Sequence, residues 1–485
     1  MSGRSRMDLP DPGSARSFWL QEALAADPGM PCPPLESNVA ADVCIVGGGF
    51  AGLWTAVELS HREPTMRIVL LEQDICGGGA SGRNGGFFSS SWWDAPAVCG
   101  LFGDDAGLHY LQLLAESVTE VGEWLAAHDV DAWYHREGLM GIRTAVWQEG
   151  PGGEGPAEFL AARGLGQKMR PISVADARAI ADSPKIVAAR MIDEGAIVQP
   201  ARLARGLRRV ALERGVRIFE RTKVVDMERS RPAVVRAERG AVRPDQVVLT
   251  TGSWAASWPG FRRSFAVIVD NVVVTDPIPD RLEEIGWTSQ VGIADGRELL
   301  YYLRPTDDGR IAIGGGAIGV VLGGRASGRA VTHDRAVARA AAEGLIHLFP
   351  QLEGVRFSHA WGGPIDQSMS FLPFYKTLAP GNIHAGLGFS GHGLSQTMVG
   401  GRILASLVQG VEDGWTSLPV VGPEIAKVPP EPLRYLAARA AGWALRSGDL
   451  REDAGAPRGW LRDRVGYAPG EVRNLVVARA RGRRA

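Results

Sequence analysis

Three glycine-rich loops carry the residues with the clearest chemical use in this 485-residue chain. The first, Gly47-Gly48-Gly49-Phe50-Ala51-Gly52, follows the apolar run Val43 to Val46. It opens an amphipathic stretch that leads into a second apolar run, Ile68 to Leu71, and then Glu72. In such a unit Gly47 makes a tight turn, Gly49 lets backbone approach a pyrophosphate, and Gly52 lets helix pack on strand. Phosphates sit at the helix N-terminus, where N–H groups and the dipole favour negative charge, so Phe50 and Ala51 join the binding set. Glu72 lies 25 residues after Gly47, slightly beyond the usual ~20, placed to accept hydrogen bonds from ribose hydroxyls. A lone GxGxxG is weak, and a glycine turn in an unrelated α/β protein is the competing reading. Strand, turn, helix, strand and acid in order make a dinucleotide site.

The other two loops are Ser81-Gly82-Arg83-Asn84-Gly85-Gly86 and Gly388-Phe389-Ser390-Gly391-His392-Gly393. A nicotinamide coenzyme normally needs one such fingerprint. A longer cofactor held at both ends, FAD, accounts for three, although plain turns in a glycine-rich chain would also produce them. The last loop opens a helix, so its N–H groups can face the flavin N1/C2=O edge. That edge gains negative charge on reduction, which a helix N-terminus stabilises by roughly 1 kcal/mol.

These loops need a scaffold, and the chain is long enough for more than one core. A net charge of −1 gives no pull toward nucleic acid. Cys32, Cys44, Cys76 and Cys99 form no CxxC pair, so no metal centre is expected and a reducing cytoplasm is the natural compartment. No apolar run is long enough for an integral membrane segment, and the N-terminus lacks a signal-peptide core.

Hydrophobic spacing predicts helices over 107–128, onward to Arg190 around a flexible turn at 150–155, over 200–214, 332–349 and 394–409. Strands are expected at 216–220, 224–228 and 246–251, at 382–388, and within 261–320 as VIVDNVVVT, ELLYYLRP and RIAIGGG. The fold class is therefore α/β (α+β): a Rossmann-like FAD-binding domain with an interleaved antiparallel-sheet substrate domain. The first takes residues 41–95, 191–260 and 356–420, and the second 96–190 and 261–355. Residues 1–40 form an arm over the surface with one short helical patch, Ser17 to Ala26, and 421–485 a basic tail with a helix at 432–446.

The segments VGGGFAG with Glu72, SGRNGG, TKVVDM, VVLTTGSW, YYLRPTDDGRIAIGGG and GFSGHGL, in that order, span roughly residues 40–410. Together they resemble the flavoprotein oxidoreductases of the D-amino-acid oxidase superfamily, on the branch of gamma-glutamylputrescine oxidase and monomeric sarcosine oxidase. The resemblance implies that Gly47, Gly49 and Gly52 hold the pyrophosphate and Glu72 the adenosine ribose. It places Ser81, Arg83, Asn84 and Gly85 along the cofactor's middle and flavin end, and the Val224 backbone at adenine. Thr251 and Gly252 close over the nucleotide, and Ser390, Gly391, His392, Gly393 and Leu394 meet the flavin, which is held non-covalently.

On the substrate side, period 2 puts Tyr302 and Arg304 on one strand face. An aromatic wall with a cation suits an amine bearing an acidic group; a structural ion pair is the alternative for Arg304. His392 stands where sarcosine-type relatives keep a histidine near substrate, or else packs at the helix start. Two departures stand out. Ser395 occupies the place of a carboxylate-binding lysine, and Ala312 that of an oxygen-activating lysine. The expected function is FAD-dependent oxidation of the C–N bond of a small amine or N-substituted amino acid, with oxygen or another acceptor taking the electrons. The alternatives are a flavin dehydrogenase with a non-oxygen acceptor, an NAD(P)H-dependent flavin monooxygenase, and an FAD-binding module without activity.

Overall fold

The computed structural model describes residues 9–10, 16–145, 148, 155–456 and 459. The apolar run before the first glycine loop forms the strand Val39–Val46, whose last four residues are buried. Strands covered on both faces read as continuous apolar runs, and this one is central to a parallel sheet. It pairs with Ile68–Leu71 on one side and Ala241–Leu249 on the other. Arg217–Phe219 and Ile383–Leu387 extend the parallel set, and Phe374–Leu378 closes one edge antiparallel. The helix Phe50–Arg62 connects the first two strands and lies against Gly393–Gln409. A Cβ on Gly401 would stand 2.7 Å from the Trp54 Cβ, so its bare backbone is what lets the helices approach.

A second sheet of nine strands, mostly antiparallel, carries Phe265–Thr275, Ile311–Gly315, Tyr301–Pro305 and Gly292–Asp295. Leu139–Arg143 and Ala188–Ile192 join it from the earlier segment. The helix expected through Arg190 gives way at 188–190, where pairing of Ala188–Ile192 against Leu139–Arg143 overrides the alanine-rich propensity. The strand Phe357–Ser368, assigned from sequence to the FAD-binding segments, pairs along its length with Phe265–Thr275 and so belongs to this second sheet. Its Gly-Gly-Pro interior conceals a strand from propensity alone.

Among its described residues, the N-terminal segment does more than lie over the surface. Helix Phe18–Ala26, capped by Ser17, is built into the protein with Trp19 wholly buried. The late helix runs Leu433–Asp453, a turn and more past the expected Arg446. The turn at 150–155, except Gly155, and the terminal ARARGRRA lie outside the described residues. Among the described residues, no helix is long and apolar enough to cross a membrane, and no group of His, Cys, Asp and Glu could hold a metal ion.

Candidate functional site

The loops after the parallel strands open into a cavity of about 1380 Å³, bounded on its other side by the second sheet. All three glycine loops reach it: Gly47, Gly49, Phe50 and Ala51 from the first, Ser81, Arg83, Asn84 and Gly85 from the second, Gly391 to Leu394 from the third. Glu72, Val224, Thr251 and Gly252 line it as well. Segments more than 300 residues apart in the chain thus share one space.

In the first loop, Gly47 has φ +113°, and a Cβ there would lie 2.6 Å from the Thr250 carbonyl oxygen. Gly52 does not face the cavity; a Cβ on it would fall 2.0 Å from the Gly47 oxygen, the close helix–strand packing expected of it. Ser81 Oγ accepts from Phe50 N at 2.8 Å, tying the second loop to the start of the first helix. The Glu72 carboxylate accepts from Gly48 N at 2.8 Å and Asp74 N at 2.9 Å. Burial pushes its pKa up to about 7 against the pull of those donors.

Asn84 shapes its own loop, donating to the carbonyls of Ala80 and Ser81 and accepting from Gly86 N. In the third loop, Asp366 Oδ2 accepts from Gly388 N at 2.6 Å. Ser390, held at φ +53° and buried, accepts from Ser368 N and does not line the cavity. It fixes the loop rather than contacting a ligand in that space.

The opposite wall carries a pair that sequence reasoning missed in part. Tyr302 lies on the Gly85 backbone, where a Cβ would be 2.5 Å from its ring, and donates its hydroxyl to Asp270 Oδ2 at 2.6 Å. Asp270 also accepts from Asn271 N at 2.7 Å, and both residues line the cavity. Burial raises the Asp270 carboxyl to about 6 and drives the Tyr302 phenol well above its ordinary value. At neutral pH the pair is therefore a carboxylate held by a neutral phenol. The sequence did hold a signal, since Asp270 is a charge inside the apolar strand VIVDNVVVT.

Comparison with known proteins settles the family. The FAD dependent oxidoreductase (DAO) family profile matches residues 42–407. This chain belongs to the DAO family. It is 28% identical over 402 residues to gamma-glutamylputrescine oxidoreductase of Escherichia coli K12, covering 80% of this chain and 88% of that protein. Sarcosine oxidase subunit beta of Rhodobacter capsulatus is 23% identical, over 76% of this chain and 84% of its own. In fold, the chain is similar to glycine oxidase from Geobacillus kaustophilus, with a TM-score of 0.65, 20% identity, and coverage of 80% of this chain and 99% of that one. The DAO chain is an FAD-dependent oxidoreductase.

The residues present fit that cofactor. Two helices begin at the cavity, at Gly49 and His392, and neither N-cap residue closes its helix with a side-chain bond. Thr251 Oγ1 is buried beside the cavity with no hydrogen-bond partner in the protein, a hydroxyl left for a ligand. Such groups rarely stay unsatisfied in a folded chain.

Arg304 is the candidate substrate residue that the DAO chain places elsewhere. It is fully buried and outside the cavity, its guanidinium 5.1 Å over the Trp19 ring. Nη1 donates to Val198 O at 2.6 Å and Nε to Pro305 O at 3.1 Å. Neither a substrate cation nor an ion pair describes it, because the N-terminal helix occupies the space its strand face would otherwise offer. His392 does line the cavity, and Ser395 lines it while donating to Ser89 O at 2.7 Å. Ala312 is buried within the second sheet, opposite Arg304.

Proposed function

We propose that this DAO-family chain oxidises the C–N bond of a small amine or N-substituted amino acid to an imine, which water then hydrolyses to a carbonyl compound. The observation that supports this reading is the Asp270–Tyr302 pair on the wall facing the Gly85 loop. When bound, FAD supplies an electron-deficient ring able to take a hydride from the carbon next to nitrogen.

The remaining work falls to the chain's own residues. Asp270, ionised above about pH 6, offers the amine nitrogen the remaining lone pair of Oδ2 for one N–H, while the Tyr302 hydroxyl on Oδ2 and the Asn271 and Gly315 N–H groups on Oδ1 fix the carboxylate plane. Holding nitrogen at that wall sets the orientation of the adjoining C–H, and orientation is a large part of what such a site contributes. His392, at the third loop, is the second polar group offered to substrate. Arg304 takes no part. The electrons leave to oxygen or to another acceptor.

The test is an anaerobic panel of polyamines, N-methyl amino acids and aminophosphonates added to the FAD-loaded protein. Bleaching of the flavin band by at least one class is expected. A panel without bleaching, alongside rapid bleaching by NADPH, would replace this reading with a monooxygenase.

A further inference from the structure

The second glycine loop has four of its carbonyl oxygens taken up from behind. Ser17 Oγ donates to Gly82 O at 2.5 Å and Trp361 Nε1 to Arg83 O at 2.9 Å. Trp19 Nε1 donates to Asn84 O at 3.0 Å, and Val198 N to Gly86 O at 2.8 Å. None of these donors lines the cavity, whereas Ser81, Arg83, Asn84 and Gly85 all do. The donors also lock one another. The Trp19 and Trp361 rings meet edge to face at 5.8 Å, and Arg304 lies over Trp19 while holding the Val198 carbonyl at 2.6 Å. Three of these parts, Ser17, Trp19 and Trp361, sit outside both the loop and the parallel sheet, Ser17 capping the N-terminal helix and Trp19 in its first turn.

We propose that the helix Phe18–Ala26 is a working part of the cofactor site: with Trp361 it draws the carbonyls of residues 82–84 away from the cavity, so that the loop meets FAD with side chains and N–H groups. A carbonyl turned the other way would set its negative end against a ring that becomes electron-rich on reduction. Left unheld, a Gly-rich loop of this kind would sample such states freely, since glycine has the most backbone freedom to lose. The buried guanidinium of Arg304 thereby acquires a purpose, as a plate that presses Trp19 into place. Ser17, Trp19 and Trp361 are positioning residues, since none reaches the cavity.

The experiment is FAD titration into the full-length apoprotein, read by flavin absorbance and by amide exchange of the loop before FAD is added. Trp19→Phe and Trp361→Phe each leave a buried carbonyl without its donor. Each should raise the FAD Kd by roughly tenfold to a hundredfold, alter the visible band, and speed exchange across residues 82–86. Ser17→Ala should weaken FAD several-fold, and Ser17→Thr, which keeps the hydroxyl, should restore it. A tryptophan variant that melts earlier as apoprotein yet binds FAD with unchanged Kd and band would overturn the proposal, leaving the helix as plain packing. Should Trp19→Phe not fold, the serine pair decides: an unchanged Kd in Ser17→Ala overturns it equally.

Discussion

Asp270 concentrates the chemistry that the substrate side offers, and its ionisation makes it testable. Its carboxyl titrates near 6 in the folded chain against roughly 3.9 when unfolded. Folded protein therefore holds its proton more tightly, and the contribution of Asp270 to stability is complete below about pH 4 and lost as pH rises through 6. Asp270→Asn escapes that loss, so its melting temperature relative to the parent should rise between about pH 4 and pH 6 and level off above; a constant difference across that window would show that Asp270 does not titrate there. For turnover the direction reverses. Amine kcat/KM should fall in the parent as pH drops through about 6, and by roughly a hundredfold at neutral pH in Asp270→Asn, the cost of a charged hydrogen bond. Glu72 behaves likewise on the cofactor side: with its carboxyl near 7, FAD should bind more tightly at pH 8 than at pH 6, and Glu72→Gln should abolish that slope. At this scale the placement of Gly47, Glu72 and Ser81 at one cavity was legible, because it follows a local motif. It misled at Arg304, where alternation gave the right strand face but could not reveal that a helix 280 residues earlier covers it.

Elements position these residues by close backbone approach. Tyr302 is wedged between Gly85 and Gly314, where a Cβ would come within 2.5 Å and 2.2 Å of its side chain. Gly314→Ala should push the phenol off Asp270, raising KM for amine while leaving the FAD Kd within about twofold of the parent. Gly52→Ala should do the opposite, because a Cβ at 2.0 Å from the Gly47 oxygen forces the first helix off its strand and FAD binding is lost. A matched loss of both properties in both variants would show that the two walls are not separable. The βαβ unit and the helix after the third loop were readable because their hydrophobic periods are regular. Phe357–Ser368 was not, since a Gly-Gly-Pro core has no strand propensity and the strand exists only through its long partner, Phe265–Thr275.

For the whole molecule, the parallel sheet supplies the cofactor loops and the antiparallel sheet supplies Asp270 and Tyr302, and neither wall encloses the cavity alone. FAD bridging them should stabilise the folded chain by mass action, about 4 kcal/mol at a thousandfold excess over Kd, seen as a concentration-dependent rise in melting temperature. The alternating assembly of two sheets from one chain could be inferred from interrupted motifs. The position of the N-terminal helix could not, because nothing local in Ser17 to Ala26 announces that its partners are the carbonyls of Gly82 and Asn84.

The most direct measurement is the anaerobic reductive half-reaction, followed by flavin absorbance in a stopped-flow instrument with an amine that the panel identifies. The parent should bleach in a substrate-saturable phase that weakens below about pH 6, and Asp270→Asn should bleach far more slowly at equal FAD content. Bleaching at the same rate in both, or by reduced nicotinamide alone, would contradict an amine held at Asp270.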